Sequence, residues 1–525
     1  MAKCSWRSLV LRSFVFGCGL SLVGIAAEST GVAEDGVAQS IPAPAAPPES
    51  SLDRSAPVAD VDSRAVESEA APFASAADAA AVPAPVAAPG ITPPEAAPEP
   101  LVQPMPAPSM PYCTSPAYTS PYSGNLWERS TLLGDLGGYR GEAANNGMTF
   151  NISTTQFYQG VASGGVEQVF DYVGRNDYIM NVDGEKAGLW RGFFVTLHGE
   201  TRYGDGINRF TGAIMPVNTA SLFPAPTGDQ SALTAVKFTQ ALSEEFVTFA
   251  GKINMLDELS QPFAGGRGVD AFMNTALVFP VAAVRSVPYS TLGGGFAVLQ
   301  DLHPVFSMMV LDTNNTPTTS GFESFFNNGA TIITKLDVPV ALLGMPGHQG
   351  FWGTYSNGEY NDLAPTAYFD PNYGPVLVPA GNDTGSWSLF YSADQALFVD
   401  PDNAKRSWGV FTNIGLSDDG PSPVRWSANV GVGGSSPLRS RPLDTFGIGY
   451  AYTAYSTPVQ TLAPFFLPVR NDEVVELFYN VAVTKWCRVT PNLQILVPAR
   501  EQTLPPGIQP IDTAVVFGLR AKIDF

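Results

Sequence analysis

The sequence is poor in charge, in histidine, in cysteine and in long apolar runs. Asp, Glu, Lys and Arg make up 14% of its 525 residues, against about 25% in ordinary soluble domains. Cations are scarcest, with 28 Lys and Arg facing 48 Asp and Glu for a formal net charge of −20. Phosphate binding needs clustered Lys and Arg, so nucleic acid is not an expected partner. The histidines are His198, His303 and His348, and no G-x-S-x-G, H-E-x-x-H or G-x-x-x-x-G-K occurs. Without a recognisable nucleophile, zinc or phosphate motif, the chain does not read as an enzyme, and no cofactor or metal is expected. No run of 18 apolar residues is present. That rules out helical membrane spans but not a barrel, whose strands are short and individually weak signals.

What is present divides the chain. Residues 1–26 have the form of an export signal: Lys3, Arg7 and Arg12, the apolar run "SFVFGCGLSLVGIA", and a small-x-small site ending at Ala26. A lipoprotein signal at Cys18 is the rival reading, disfavoured by Phe16. Removal of the signal leaves Cys113 and Cys487. Cys113 lies in a Pro-rich stretch, so two unpaired thiols are expected rather than a bridge. Residues 27–123, with "AAVPAPVAAPGITPPEAAPEPLVQPMPAPSMP", are Ala/Pro-rich and nearly free of aromatics. Such a segment cannot bury enough apolar surface to order itself and is expected to be a disordered periplasmic linker, with the cell wall as a partner for its arm. Residues 124–146 suggest short helical turns around Leu126, Trp127, Leu132 and Leu133.

From 147 to 525 the dominant period is two. In "GFFVTLHGETRY", Phe193, Val195 and Leu197 share a face opposite Thr196, His198, Glu200 and Arg202. "VRWSANVGVG" sets Val424, Trp426, Ala428, Val430 and Val432 against Arg425, Ser427, Asn429 and Gly431. "TFGIGYAY", "EVVELFYNVAVT" and "RVTPNLQILV" repeat the pattern, and so does "AVVFGLRAKIDF", where Arg520, Lys522 and Asp524 oppose Phe517, Leu519, Ala521 and Ile523. A soluble antiparallel sheet alternates too. Aromatics on the apolar face, Arg, Glu and Asn with small residues on the other, and a preceding export signal favour an all-β transmembrane antiparallel barrel in outer-membrane lipid. Strands of about nine to eleven residues are expected. The joint 484–488 reads as short, and the stretch 344–385 reads as one long connection.

Several stretches also carry a family resemblance: "GMTFNISTTQFYQGVASGG" (147–165), "GKINMLDELSQPFAGGRGVDAFMNTAL" (251–277), "WGVFTNIGLSDDGPSPVRWSANVGVGG" (408–434), "RPLDTFGIGYAYT" (441–453), "VVELFYNVAVTKWCRVTPNLQILVPA" (474–499) and "DTAVVFGLRAKIDF" (512–525). Over about residues 127–525 the chain resembles the carbohydrate-selective porin family, OprB type. The resemblance implies about sixteen strands, short periplasmic turns and longer outer loops, some folded into the channel. It also implies passive uptake of sugars; a general or ion-selective pore with little sugar preference is the alternative. Lumen candidates from alternation are His198, Glu200, Arg202, Lys252, Arg425, Asn429, Glu476, Arg488, Arg520 and Lys522. Arg267 in the Gly-rich "FAGGRG" is the constriction candidate that the family match adds. "DTNNTPTTSGFE" places Asp312, Asn314, Thr316 and Glu323 at calcium-loop positions but has Pro317 where such a loop needs Gly, so it reads as an irregular outer loop. The final strand should pair with the first near Thr149–Phe157. Phe525 resembles the signal read by the barrel assembly machinery, a further expected partner.

Overall fold

The computed structural model describes residues 122–525 apart from 260, 302, 343, 364–365, 371–373, 379–380, 463–468 and 502–509. The export signal, the Ala/Pro-rich stretch and Cys113 lie outside the described residues; Cys487 is a free thiol. Eighteen strands follow in order: β1 (Met148–Gly165), β2 (Phe170–Asp183), β3 (Phe193–Gly204), β4 (Gln230–Ala241), β5 (Phe246–Asn254), β6 (Ser290–Gln300), β7 (His303–Asp312), β8 (Ala330–Leu342), β9 (Met345–Asn361), β10 (Thr366–Asp370), β11 (Gly374–Val378), β12 (Asn382–Asp400), β13 (Asn403–Ser417), β14 (Val424–Ser435), β15 (Thr445–Tyr455), β16 (Asp472–Ala482), β17 (Cys487–Val497) and β18 (Asp512–Asp524). All but the β10–β11 hairpin form one closed antiparallel barrel of 16 strands. Closure leaves no edge strand to template aggregation.

The barrel is inside out relative to a soluble protein. Phe351, Tyr355, Leu389, Ile414, Val430, Phe517 and Leu519 are exposed, whereas Arg175, His198, Glu200, Arg202, Glu476 and Arg520 are buried. Soluble proteins avoid an apolar surface this extensive. An outward apolar band around a polar interior is the pattern a lipid bilayer selects.

Connections alternate in length. At one end, the turn end, the chain reverses through 184–192, 242–245, 301–302, 343–344, 401–402, 436–444 and 483–486. At the opposite, loop end it makes the long excursions 205–229, 255–289, 313–329, 362–381, 456–471 and 498–511, with 166–169 and 418–423 the brief exceptions.

Four details differ from the sequence expectation. Strands run from 9 residues in β5 to 19 in β12, because strand pairing continues beyond the length a bilayer requires. The stretch 344–385 is not one connection: it holds β9, the β10–β11 hairpin and the start of β12. Glycines on both faces of β9 dilute its alternation. Barrel closure runs from Ser153 opposite Asp524 to Gly160 opposite Phe517 and beyond, while Thr149 pairs only with β2. The helical turns of 124–146 lie at Leu136–Gly138 and Tyr139–Asn145, and Leu126, Trp127 and Leu133 are exposed. Arg140 on the second of these binds the end of β18: its Nη2 donates to the Phe525 carbonyl at 2.7 Å and its Nη1 to Thr131 Oγ1 at 2.9 Å.

Candidate functional site

The lumen is shaped by the excursion 255–289, which turns inward from the loop end. Its apolar side chains Phe263, Phe272, Ala276 and Leu277 pack on inward-facing Phe411, Ala451, Val474, Phe478 and Val516. Phe272 meets Phe478 edge to face, with centroids 5.0 Å apart and planes at 89°. Burying one such ring is worth about 1.5–3 kcal/mol. The wall is cut to receive them: a Cβ on Gly433 would lie 2.2 Å from the Phe263 carbonyl oxygen, and one on Gly447 2.8 Å from Phe272 Cζ.

Polar groups of the wall fix the segment's backbone. Glu476, fully buried, accepts from the Met273 and Asn274 N–H groups at 2.7 and 2.9 Å and from Asn492 Nδ2 at 2.7 Å. Asn429 Nδ2 donates to the Ala276 carbonyl at 3.0 Å. Arg520 donates to the Gly268 and Ala271 carbonyls at 3.1 and 2.8 Å. The excursion 205–229 also folds inward and joins the first, with Thr219 N–H on the Met273 carbonyl at 2.8 Å and Thr275 N–H on that of Pro216 at 2.9 Å.

At the tip, Arg267 and Asp270 reach the wall on either side of β1. Arg267 Nη1 lies 3.0 Å from Asp257 Oδ1 and 3.7 Å from Asp177 Oδ1. Behind it, the two ring nitrogens of His198 face Asp257 Oδ2 at 2.6 Å and Asp177 Oδ1 at 3.1 Å. Arg175 bonds Asp177 at 2.8 Å and also Glu200, which takes the Tyr289 hydroxyl as well. Asp270 Oδ1 instead receives Lys522 Nζ at 2.5 Å and Arg488 Nη1 at 3.3 Å. The tip therefore lays a charged bar along one sector of the lumen wall, its cation toward β2–β3 and its anion toward β17–β18, with β1 between them. The backbone of Arg267 is left-handed, with φ of 54°. A non-glycine residue holds that geometry only where its surroundings over-determine it, and here glycines flank it on both sides.

Electrostatics hold the tip charged. Burial disfavours the Asp270 carboxylate, but Lys522, Arg488 and Arg520 outweigh it and keep its pKa below the ordinary value. Asp257 is likewise pushed up by burial and pulled further down by the His198 hydrogen bond and by the charges of His198, Arg267 and Arg175. In a low-dielectric interior such charges persist only when paired and hydrogen-bonded.

The candidates separate into three groups. Arg267, Arg488 and Lys522 keep side-chain exposures of 17%, 36% and 11%, as Asp257 and Asp270 do at 26% and 36%, so solute can reach them. His198, Glu200, Arg202, Glu476, Asn429 and Arg520 are buried behind the inward segments and act on backbone or on each other. Arg202, for instance, donates to the Ser221 and Gly228 carbonyls of 205–229 at 2.9 and 2.6 Å. Lys252 belongs with them, donating to the Leu233, Pro317 and Thr319 carbonyls at 2.9, 3.2 and 2.6 Å. It tethers the excursion containing "DTNNTPTTSGFE", where the Asp312 carboxylate caps the Asn314 and Phe326 N–H groups. Arg425 stands apart: a register shift between Val424 and Trp426 lifts it out of the inward row onto an exposed position.

Arg175, Asp177, Asp257, Asp270 and Tyr289 escaped the sequence reading. Arg175 and Asp177 sit two apart in "VGRND" and so share a strand face, a usable signal; the polar Asn176 between them and Gly174 before them hid the alternation. Two cavities of about 620 and 710 Å³ flank the bar on its turn-end side, and Arg267 lines both.

Comparison with known proteins agrees with this geometry. The family model described as carbohydrate-selective porin, OprB family, matches residues 167–525. Porin B of Pseudomonas aeruginosa is 28% identical over 213 residues, 36% of this chain and 45% of that protein. A putative porin, QuiX, of Acinetobacter baylyi is 26% identical over 227 residues, 39% of this chain and 47% of that protein. The chain thus spans about half the length of the curated relatives it matches. A high-pH structure of Pseudomonas putida OprB superposes with a TM-score of 0.64 at 20% identity, covering 77% of this chain and 100% of that one, which shows the shared fold. With the family model spanning most of a closed, lipid-facing barrel, the chain belongs to the OprB family of carbohydrate-selective porins and resides in the outer membrane.

Proposed function

We propose that this protein is a passive pore through which small sugars cross the outer membrane down their gradient. The observation that carries the reading is the charged bar: Arg267 and Asp270, with Asp257, Arg488 and Lys522, line the accessible lumen along the wall sector centred on β1. Donors and acceptors of both signs exchange hydrogen bonds with sugar hydroxyls as water leaves, and their mutual pairing keeps each contact weak enough to release solute. Family and fold point to a transport channel rather than an enzyme, and no covalent step enters this reading.

Purified protein in liposomes is expected to admit mono- and disaccharides; liposomes that stay impermeable to both refute the proposal. The same mutual pairing supports a second reading, a general or ion-selective pore, since charges already neutralised need no sugar. Single-channel conductance titrated with sugars separates the two, because only the sugar pore is blocked. The Ala/Pro-rich composition of residues 27–123 suits an arm that contacts the cell wall. Retention of the full chain on purified wall material, lost when 27–123 is deleted, is the expected result; equal retention of both removes the idea.

A further inference from the structure

The larger cavity has a wall patch that the charged bar does not use. The inward positions of β9 at this cavity include His348, Gly350 and Trp352. Register sets Lys335 of β8 and Phe390 of β12 beside Trp352, Asp337 and Ser392 beside Gly350, and Asp394 beside His348. Trp352 stacks on Phe390 with centroids 3.8 Å apart and planes at 13°. One indole face is therefore covered, and the residue still lines the cavity.

Gly350 is buried beside the indole, and the Ser392 hydroxyl lies over it, 2.3 Å from where a Cβ would sit, so no side chain of Gly350 rises next to the ring. One inward step along a strand is roughly 6–7 Å, which is about the width of a pyranose ring. The surroundings of the ring are polar and partnered among themselves. Lys335 Nζ lies 2.9 Å from Asp337 Oδ2, and His348 Nδ1 lies 3.1 Å from Asp394 Oδ2. Asp337 Oδ1 is buried and has no hydrogen-bond partner. A buried carboxylate oxygen without a donor is costly, so its presence on a cavity wall calls for a ligand hydroxyl or water.

We infer that this patch is a second carbohydrate subsite, separate from the charged bar, which takes a neutral pyranose with its C–H face on Trp352 and a hydroxyl donating to Asp337 Oδ1. The inference rests on the sugar-pore reading. The exposed indole face offers apolar contact and a π cloud to the ring's C–H groups. Lys335 and Asp337 cancel each other and Asp394 adds a carboxylate, so no cation is left over for a sugar acid or phosphate and a neutral sugar is favoured. An acyclic polyol has the hydroxyls but no ring face, and should not bind.

The test is equilibrium binding to the detergent-solubilised full chain, read by saturation-transfer NMR with D-glucose, maltose and mannitol. Saturable binding of both sugars but not mannitol is expected. Trp352→Ala should raise the glucose Kd at least tenfold, while Trp352→Phe, which keeps a ring, should change it less than threefold. Asp337→Asn should weaken glucose without restoring mannitol. An unchanged glucose Kd in Trp352→Ala, or no saturable binding by the wild type, overturns the inference. Should Trp352→Ala fail to fold, equal loss of glucose binding in a folded Trp352→Phe and retention in Asp337→Asn also overturns it. Liposome permeability separates the two claims: sugar entry without binding leaves the pore standing and removes the subsite, whereas impermeable liposomes fail the pore itself.

Discussion

Glu476→Ala removes the acceptor that holds the inward segment at Met273 and Asn274. Two backbone N–H groups, bonded at 2.7 and 2.9 Å in the native barrel, then lose their acceptor in a buried site. A buried donor left unsatisfied costs about 1–3 kcal/mol, so the pair amounts to about 2–6 kcal/mol. Removing a buried carboxylate also relieves its own desolvation, which places the net loss nearer 2–4 kcal/mol. Against this stand the apolar contacts of Phe263, Phe272 and Leu277, each worth about 1.5–3 kcal/mol. The segment should stay docked most of the time but visit undocked states about 30- to 1000-fold more often. The barrel strands lose no ladder bond, so heat-modifiable gel mobility should remain that of a folded barrel. In planar bilayers the variant should show larger current fluctuations at fixed voltage, and in liposomes a raised size limit for saccharides. A Glu476→Ala channel with wild-type noise and wild-type size limit would refute the reasoning. Asp472 is the internal comparison: on the same strand face, it accepts from the Ile214 and Met215 N–H groups at 2.9 and 2.8 Å. Its loss should therefore loosen 205–229 instead.

Gly433→Ala places a methyl where the Phe263 carbonyl sits 2.2 Å away, an overpacking cost of about 1–3 kcal/mol; altered conductance with intact barrel mobility is expected, and unchanged conductance counts against the docking geometry. Asp270 faces Lys522, Arg488 and Arg520, and Asp257 faces His198, Arg267 and Arg175; both pKa values are depressed. Their contribution to docking is therefore complete above the ordinary carboxylate value of 3.8 and is lost as pH falls through the depressed one. The difference in current noise between wild type and Asp270→Asn should be constant from neutral pH to that point and shrink below it; a difference that disappears between pH 5 and 7 contradicts this. Deleting Phe525 removes the N–H bonded to the Ile152 carbonyl at 2.8 Å and the carbonyl that receives Arg140. The heat-modifiable, membrane-assembled fraction should fall more than sugar selectivity changes, and normal assembly would remove the proposed role of this residue.

The wall was legible where one face is purely apolar and the other carries charge. β18 is such a strand: Phe517 and Leu519 are exposed to lipid, and Arg520 is buried inside. β2 was not legible, because Asn176 and Gly174 on its outer face blur the period although Arg175 and Asp177 share the inner one. β9 was hidden by glycine, and the residue that matters most there, Trp352, is an aromatic on the inward face, where alternation expects polarity. Elsewhere the departure has another cause: alternation assumes that the lumen is water, whereas the excursions 205–229 and 255–289 fill part of it with chain. Where 255–289 docks, the inner wall becomes protein interior and selects Phe411, Phe478 and glycine.

The same fact decides what a lumen charge is for. Period two places Glu476, Arg520 and Arg488 on one surface, but it cannot separate a side chain that meets solute from one that holds the segment in front of it. Glu476 and Arg520 spend their hydrogen bonds on the backbone of 268–274. Arg488, nearer the turn end, touches the segment through the Asp270 carboxylate at 3.3 Å, which Lys522 also holds at 2.5 Å, and keeps 36% of its side chain exposed. Depth along the strand relative to the bar, rather than charge or face, sorts the two roles. Depth depends on where a loop from the opposite end comes to rest, and only the inward packing of Phe263 and Phe272 sets that. Neutralising a buried residue of this row should thus change how still the bar is held, and neutralising an exposed one should change what the open lumen prefers. Arg488→Gln is accordingly expected to shift ion selectivity without added current noise, the reverse of Glu476→Ala; matching behaviour of the two variants in one set of bilayer recordings would show that depth does not divide them.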